Sequence, residues 1–128
     1  MINIPATKSS PRVFFSEEEK IFTISGESYP ENTFAFFEPI FSWLHLELPR
    51  YDDIRFVFNI SYLNSSSTKC ILDMLDLLGA AEKGGCRVSV VWYYEAENER
   101  ALDIAQEFEE DVEIPFEIIP LELPHPSE

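Results

Sequence analysis

Tyr62-Leu63-Asn64-Ser65-Ser66-Ser67-Thr68-Lys69-Cys70 joins a strand-like apolar pattern to a helix-like one, and four consecutive hydroxyl residues occupy the junction. Upstream, Ile54, Phe56, Phe58, Ile60 and Tyr62 alternate with Arg55, Val57, Asn59 and Ser61, the period-two signature of a strand with at least one buried face. Downstream, Ile71, Met74, Leu75, Leu78 and Ala81 recur at three- and four-residue spacing, which predicts an amphipathic helix with Asp73, Asp76 and Glu82 off its apolar stripe. Asn64 and the hydroxyls then lie at a helix N-terminus, where unpaired N–H groups need acceptors and the helix dipole favours negative charge. A cap uses one side chain. The surplus, followed by Lys69, gives the stretch two readings: a redundant N-cap, or a turn built to carry a phosphate on one of its hydroxyls.

Working outward, Arg12–Ser16 and Lys20–Gly26 read as the two strands of a hairpin turned at Glu17-Glu18-Glu19. Ser28 and Glu31 have capping-box spacing around Pro30, which opens a helix whose predicted stripe is Phe34, Phe37, Phe41, Leu44 and Leu48. Pro39 inside that stripe predicts a kink or a helix in two pieces. After the central strand and helix, Lys83-Gly84-Gly85 is a C-terminal stop. Cys86–Tyr94 reads as a strand with apolar residues on both faces near its end. Ala101, Leu102, Ala105 and Phe108 form the stripe of a third helix, and Phe116–Leu121 reads as a last strand. The tail, residues 122–128, has two prolines and no period, so fraying is expected. The order β-β-α-β-α-β-α-β implies an α/β fold with a mixed, largely parallel sheet packed by helices, as one domain over residues 1–128.

The 128 residues are 45% hydrophobic and 14% aromatic, enough for one core without staples, and they carry a net charge of −15. That charge opposes binding to nucleic-acid backbone or to an anionic membrane surface and suits partners with basic surfaces. No leader-like or membrane-length apolar run is present, so a cytoplasmic protein is expected, with no membrane insertion. Cys70 and Cys86 lie within apolar patterns and read as buried free thiols.

Catalytic chemistry finds little support. His45 and His125 are the only histidines, and a Ser-His-Asp arrangement would need one of Ser65 to Ser67 to meet His45 in space. A small hydrolase with a Ser or Cys nucleophile is therefore the weaker reading. The carboxylates Asp73, Asp76, Glu107, Glu109 and Glu110 fit solvated helix faces, and no metal quartet or Gly-rich phosphate loop is present. No metal and no cofactor is expected. Trp92, Tyr93 and Tyr94 at a strand end read as core with an exposed rim, or as an aromatic anchor for a partner; Tyr29 and Glu31 carry the same double reading beside a helix start.

The topology resembles the STAS fold of anti-sigma-factor antagonists, in which a phosphorylatable Ser or Thr opens the helix after the third strand. Three segments narrow the resemblance: Ser25–Asn32, Tyr62–Ser67 and Trp92–Glu95, which together with the element order are similar to the SiaC family of bacterial regulatory phosphoproteins over nearly the whole chain. This resemblance implies a non-enzymatic partner-switching protein with a STAS-like fold. Its unphosphorylated form binds a GGDEF diguanylate cyclase and promotes cyclic di-GMP synthesis, with biofilm formation and aggregation as the output. A histidine-kinase-like Ser/Thr kinase phosphorylates the switch and a PPM-type phosphatase restores it. The family's switch hydroxyl follows a Tyr-Leu-Asn run, which implies Ser65 here, where Thr is the better-known occupant; Ser66, Ser67 and Thr68 remain as neighbouring candidates. Asn64, Ser66, Ser67, Lys69, Tyr29, Glu31 and Tyr94 are the implied partner-binding residues. The alternative from the wider fold is an antagonist that binds an anti-sigma factor.

Overall fold

A computed structural model of the chain describes residues 2–122, so His125 and the expected fraying beyond Glu122 lie outside the described residues. Six strands and three helices are present: β1 (Asn3–Ile4), β2 (Arg12–Ser16), β3 (Ile21–Ser28), α1 (Thr33–Glu47), β4 (Asp53–Leu63), α2 (Ser65–Lys83), β5 (Arg87–Glu95), α3 (Glu99–Glu110) and β6 (Phe116–Leu121), with a 3-10 turn over Leu48–Arg50. They form one sheet in sequence order. β1–β2–β3 are antiparallel and β3–β4–β5–β6 parallel, which is the mixed α/β architecture the pattern predicts. β1 escaped the sequence reading because two residues have no period; they pair Asn3 with Phe14 and Ile4 with Val13.

Right-handed crossovers that always step the same way place all three helices on one face of the sheet. The core agrees, since Phe22, Ile24, Phe56, Phe58, Val88, Val90 and Trp92 from the strands cluster with Phe37, Ile40, Ile71, Met74, Ala105 and Phe108 from the helices. The intervening strand residues Thr23, Val57 and Ser89 are only half-buried on the other face.

α1 departs from its predicted face. Its buried residues are Thr33, Phe37, Ile40, Trp43 and Leu44, whereas Phe34 is 67% exposed and Phe41 half-buried. With phenylalanine at 34, 36, 37 and 41, two stripes satisfy helical spacing, and periodicity alone does not choose between them. The choice is made by Thr33, whose hydroxyl bonds to Ser66 on α2 and so must face inward. The helix is not divided at Pro39 but runs on to Glu47. Nor is it opened by a capping box: Asn32 is the N-cap, accepting from the Ala35 N–H at 3.1 Å, and Ser28 stays in β3.

A bulge near the end of the β3–β4 pair positions everything that follows. Gly26 pairs with Ile60 but Glu27 pairs with Tyr62, so Ser61 is an extra residue in β4. Beyond it the inward parity switches from even to odd: Leu63 is buried at 7% exposure and Tyr62, predicted to continue the buried alternation, is turned out at 39%. Gly26 has φ of +119°, a region that disfavours any side chain, and a Cβ there would stand 3.4 Å from the Pro11 Cα.

Candidate functional site

The chain leaves β4 at Leu63 and enters α2 at Ser65, with Asn64 as the hinge between them. The Asn64 side chain accepts from the Ser67 N–H at 2.9 Å, and its own N–H donates to the Ser28 carbonyl at 3.0 Å, which ties the turn to the end of β3.

The four hydroxyls then diverge, because consecutive helical residues point about 100° apart. Ser67 is fully buried and shares a 2.8 Å hydrogen bond with the buried Ser28 hydroxyl. Ser66 is half-buried, sharing a 2.7 Å bond with the Thr33 hydroxyl and donating to the Asn64 side-chain oxygen at 3.3 Å. Thr68 donates back to the Asn64 carbonyl at 3.0 Å. Ser65 alone is exposed, and its hydroxyl makes no hydrogen bond among the described residues. Three hydroxyls therefore lock the N-terminus of α2 to β3, α1 and its own turn, while one faces solvent.

The Ser28–Ser67 pair gives a stability prediction. Ser67→Ala strands the Ser28 hydroxyl in the core and is expected to cost about 1–3 kcal/mol in urea unfolding. The double change Ser28→Ala with Ser67→Ala should recover much of that loss; strictly additive costs would show that the two hydroxyls do not depend on each other.

Around Ser65, the Tyr29 and Tyr62 rings meet edge-on at 5.8 Å. Glu31 is exposed, and Phe34 stands next to Thr33, which is itself bonded to the turn. Lys69 is exposed and pairs with Asp73 at 3.5 Å. Tyr94 is half-buried and pairs with Pro120 on β6, one strand away from the turn. Of the residues implied as partner-binding, Asn64 and Ser66 are half-buried while Ser67 is wholly enclosed, a correction to its expected place on a docking surface. The sequence reading did not place Phe34, Thr33 or Arg100 near the turn, where Thr33 bonds to Ser66 and Arg100 lines a cavity with Ser65. Phe34 was hidden by the second α1 stripe, and Thr33 and Arg100 reach the turn only through tertiary packing.

The arrangement offers a surface more than a reaction chamber. Strand order never reverses, so the sheet has no switch-point crevice of the kind that holds ligands in open α/β folds. His45 lines a cavity with Gly84, Gly85 and Cys86, beside the far end of the 19-residue helix α2, roughly 28 Å from Ser65 at 1.5 Å per residue. A Ser-His pair at the turn is ruled out by that length. Among the described residues, no group of three or more His, Cys, Asp or Glu is placed to hold a metal ion. No described helix is long and apolar enough to cross a membrane.

The two thiols are also unsuited to attack. Burial raises the Cys70 pKa, with the Asp73 carboxylate adding to the effect and Lys69 opposing it. Burial likewise raises Cys86, with Asp53, Asp52 and Glu82 adding to it. Both hold their protons to higher pH when folded than when unfolded, where the thiols ionise near the ordinary 9.0. Their contribution to stability is thus complete below that pH and falls away above it. Native protein is expected to resist alkylation at pH 8 and to react fully in urea; rapid native labelling of Cys70 would contradict its enclosure.

Fold and site together define a mixed α/β domain that presents a hydroxyl-bearing turn between a strand and a helix. The model of the SiaC family of regulatory phosphoproteins matches residues 4–121, and the chain belongs to that family. It is 38% identical over 122 residues to an uncharacterised protein of Pseudomonas aeruginosa strain UCBPP-PA14, covering 91% of this chain and 94% of that protein. Among solved structures it is similar to a chain in the complex of the diguanylate cyclase SiaD with its activator SiaC from Pseudomonas aeruginosa. That likeness has 35% identity and a TM-score of 0.89, over 94% of this chain and 100% of that one. Apo-SiaC from the same organism is 34% identical with a TM-score of 0.84, over 92% and 97% of the two chains.

Proposed function

We propose that this chain is a single-domain partner switch: unmodified, it docks on a GGDEF diguanylate cyclase and raises its output of cyclic di-GMP; phosphorylated at Ser65, it lets go. The observation that carries this reading is the selective exposure of Ser65, with Ser66, Ser67 and Thr68 all held in hydrogen bonds. The complex of the relative SiaC with the cyclase SiaD supports the choice of partner. The docking surface is the edge that carries Ser65, Tyr62, Tyr29, Glu31 and Phe34, where two exposed aromatics lie beside the switch.

A histidine-kinase-like kinase forms the Oγ–P bond as the terminal phosphoanhydride of ATP breaks; ADP leaves and the hydroxyl proton passes to a base on the kinase. A PPM-type phosphatase hydrolyses the ester and releases inorganic phosphate. The chain itself is not the catalyst. The phosphate adds about −1.5 to −2 charge to a surface that must shed water on docking, and about 2.8 kcal/mol of lost interaction already weakens binding roughly a hundredfold. No change of fold is needed. Wild-type, Ser65→Ala and Ser65→Asp proteins used as baits in host lysate test the reading. A diguanylate cyclase should be retained by the first two and lost by the third, and equal retention by all three would sink it.

A further inference from the structure

We infer that Arg100 receives the phosphate on Ser65, so that modification closes a cavity between α2 and α3 as well as charging the turn. The inference rests on the reading of Ser65 as the modified residue. A cavity of about 370 Å³ lies between the two helices, with Tyr62, Ser65 and Thr68 on one wall and Arg100, Ile104 and Glu107 on the other. The cavity lies beside the bulge in β4. The extra residue, Ser61, offers its carbonyl to the Asn98 side chain at 3.5 Å, and Asn98 is the N-cap of α3. The starts of α2 and α3 lie at the same end of the sheet because each follows one of the parallel strands β4 and β5, and the Asn98–Ser61 bond ties the start of α3 to the end of β4.

Arg100 is out of place by the rules of helix stability. It sits in the first turn of α3, where a cation opposes the helix dipole and the neighbouring Glu99 complements it. Like Lys8, Arg12, Arg55, Lys83 and Arg87, Arg100 forms no ion pair among the described residues, so what sets it apart is its place in the first turn of α3 and on the wall of this cavity. Arg100 is an exposed residue on the wall of the cavity that Ser65 also lines, and a phosphoserine dianion is an anion for which its planar donor fork is suited. The other charged or titratable groups that line that space are Glu107 on α3 and Tyr62 on β4; Lys69, which follows Thr68 on α2, is engaged with Asp73. Glu107 opposes the phosphate and Arg100 favours it, both in proportion to the phosphate charge; the guanidinium adds charge-assisted hydrogen bonds, and these tip the balance towards binding.

The test is a phosphorus NMR titration of protein carrying phosphoserine at position 65, introduced during translation so that no kinase is required. In the otherwise wild-type chain the second phosphate ionisation should lie at least about 0.5 pH unit below that of Arg100→Ala, because a nearby cation favours the dianion. Arg100→Lys should recover part of the shift, and Glu107→Gln should lower the midpoint further. Equal midpoints in the wild-type background and in Arg100→Ala and Arg100→Gln overturn the assignment. Cyclase binding by the same phosphorylated sample is read separately: retained binding defeats the proposed switch and leaves the titration result standing, and lost binding with equal midpoints does the reverse.

Discussion

Alanine at Trp92 is expected to lower the free energy of unfolding by about 3–5 kcal/mol. The indole is fully buried and stacks on Phe58 at 4.7 Å and 12°, with Phe108 at 5.2 Å and Phe116 at 6.1 Å. It joins β4, β5, α3 and β6, and the residues around it close from several directions, so the vacated space collapses poorly. Its N–H has no partner among the described residues, so Trp92→Phe, which removes that orphan, should cost well under half as much. Urea unfolding of both variants checks this, with Ser89→Ala on the helix-free face as a control expected within about 0.5 kcal/mol of wild type. A Trp92→Ala cost no larger than the control's would contradict the packing described for β5.

The second large effect falls on binding and leaves stability alone. Phe34→Ala is expected to weaken docking on the cyclase by about 2 kcal/mol, roughly thirtyfold. The residue is 67% exposed, so the same change should move folding stability by less than about 0.5 kcal/mol. Leu46, 73% exposed near the other end of α1, supplies the control: Leu46→Ala should bind as wild type does. Titration calorimetry with the purified cyclase separates the two. If Leu46→Ala lost affinity and Phe34→Ala kept it, the docking surface would belong at the opposite end of the molecule.

Much of the fold was legible because β3, β4, β5 and the three helices carry long periodic patterns with clear stops, such as Gly84-Gly85 after α2. What failed had local causes. β1 is too short to show a period, and the phenylalanine-rich start of α1 admits two stripes. The extra residue Ser61 changes which face Tyr62 occupies without disturbing the composition of β4. The hydroxyl turn was legible as the junction of β4 and α2, but which of its hydroxyls face solvent was not readable from the pattern. Ser65 and Ser67 differ only in direction, and Ser67 is enclosed because Ser28, 39 residues earlier, meets it in the core. Arg100 was invisible for the same reason: its place opposite Ser65 is made by packing between α2 and α3.

The most direct measurement is cyclic di-GMP formation from GTP by the purified cognate GGDEF cyclase, alone, with the unmodified chain, and with the chain carrying phosphoserine at position 65. Unmodified protein should raise the rate above that of the cyclase alone, and phosphorylated protein should leave it at that basal value even in large excess. Equal stimulation by both forms would contradict Ser65 as the switch, and stimulation by neither would contradict the cyclase as the partner.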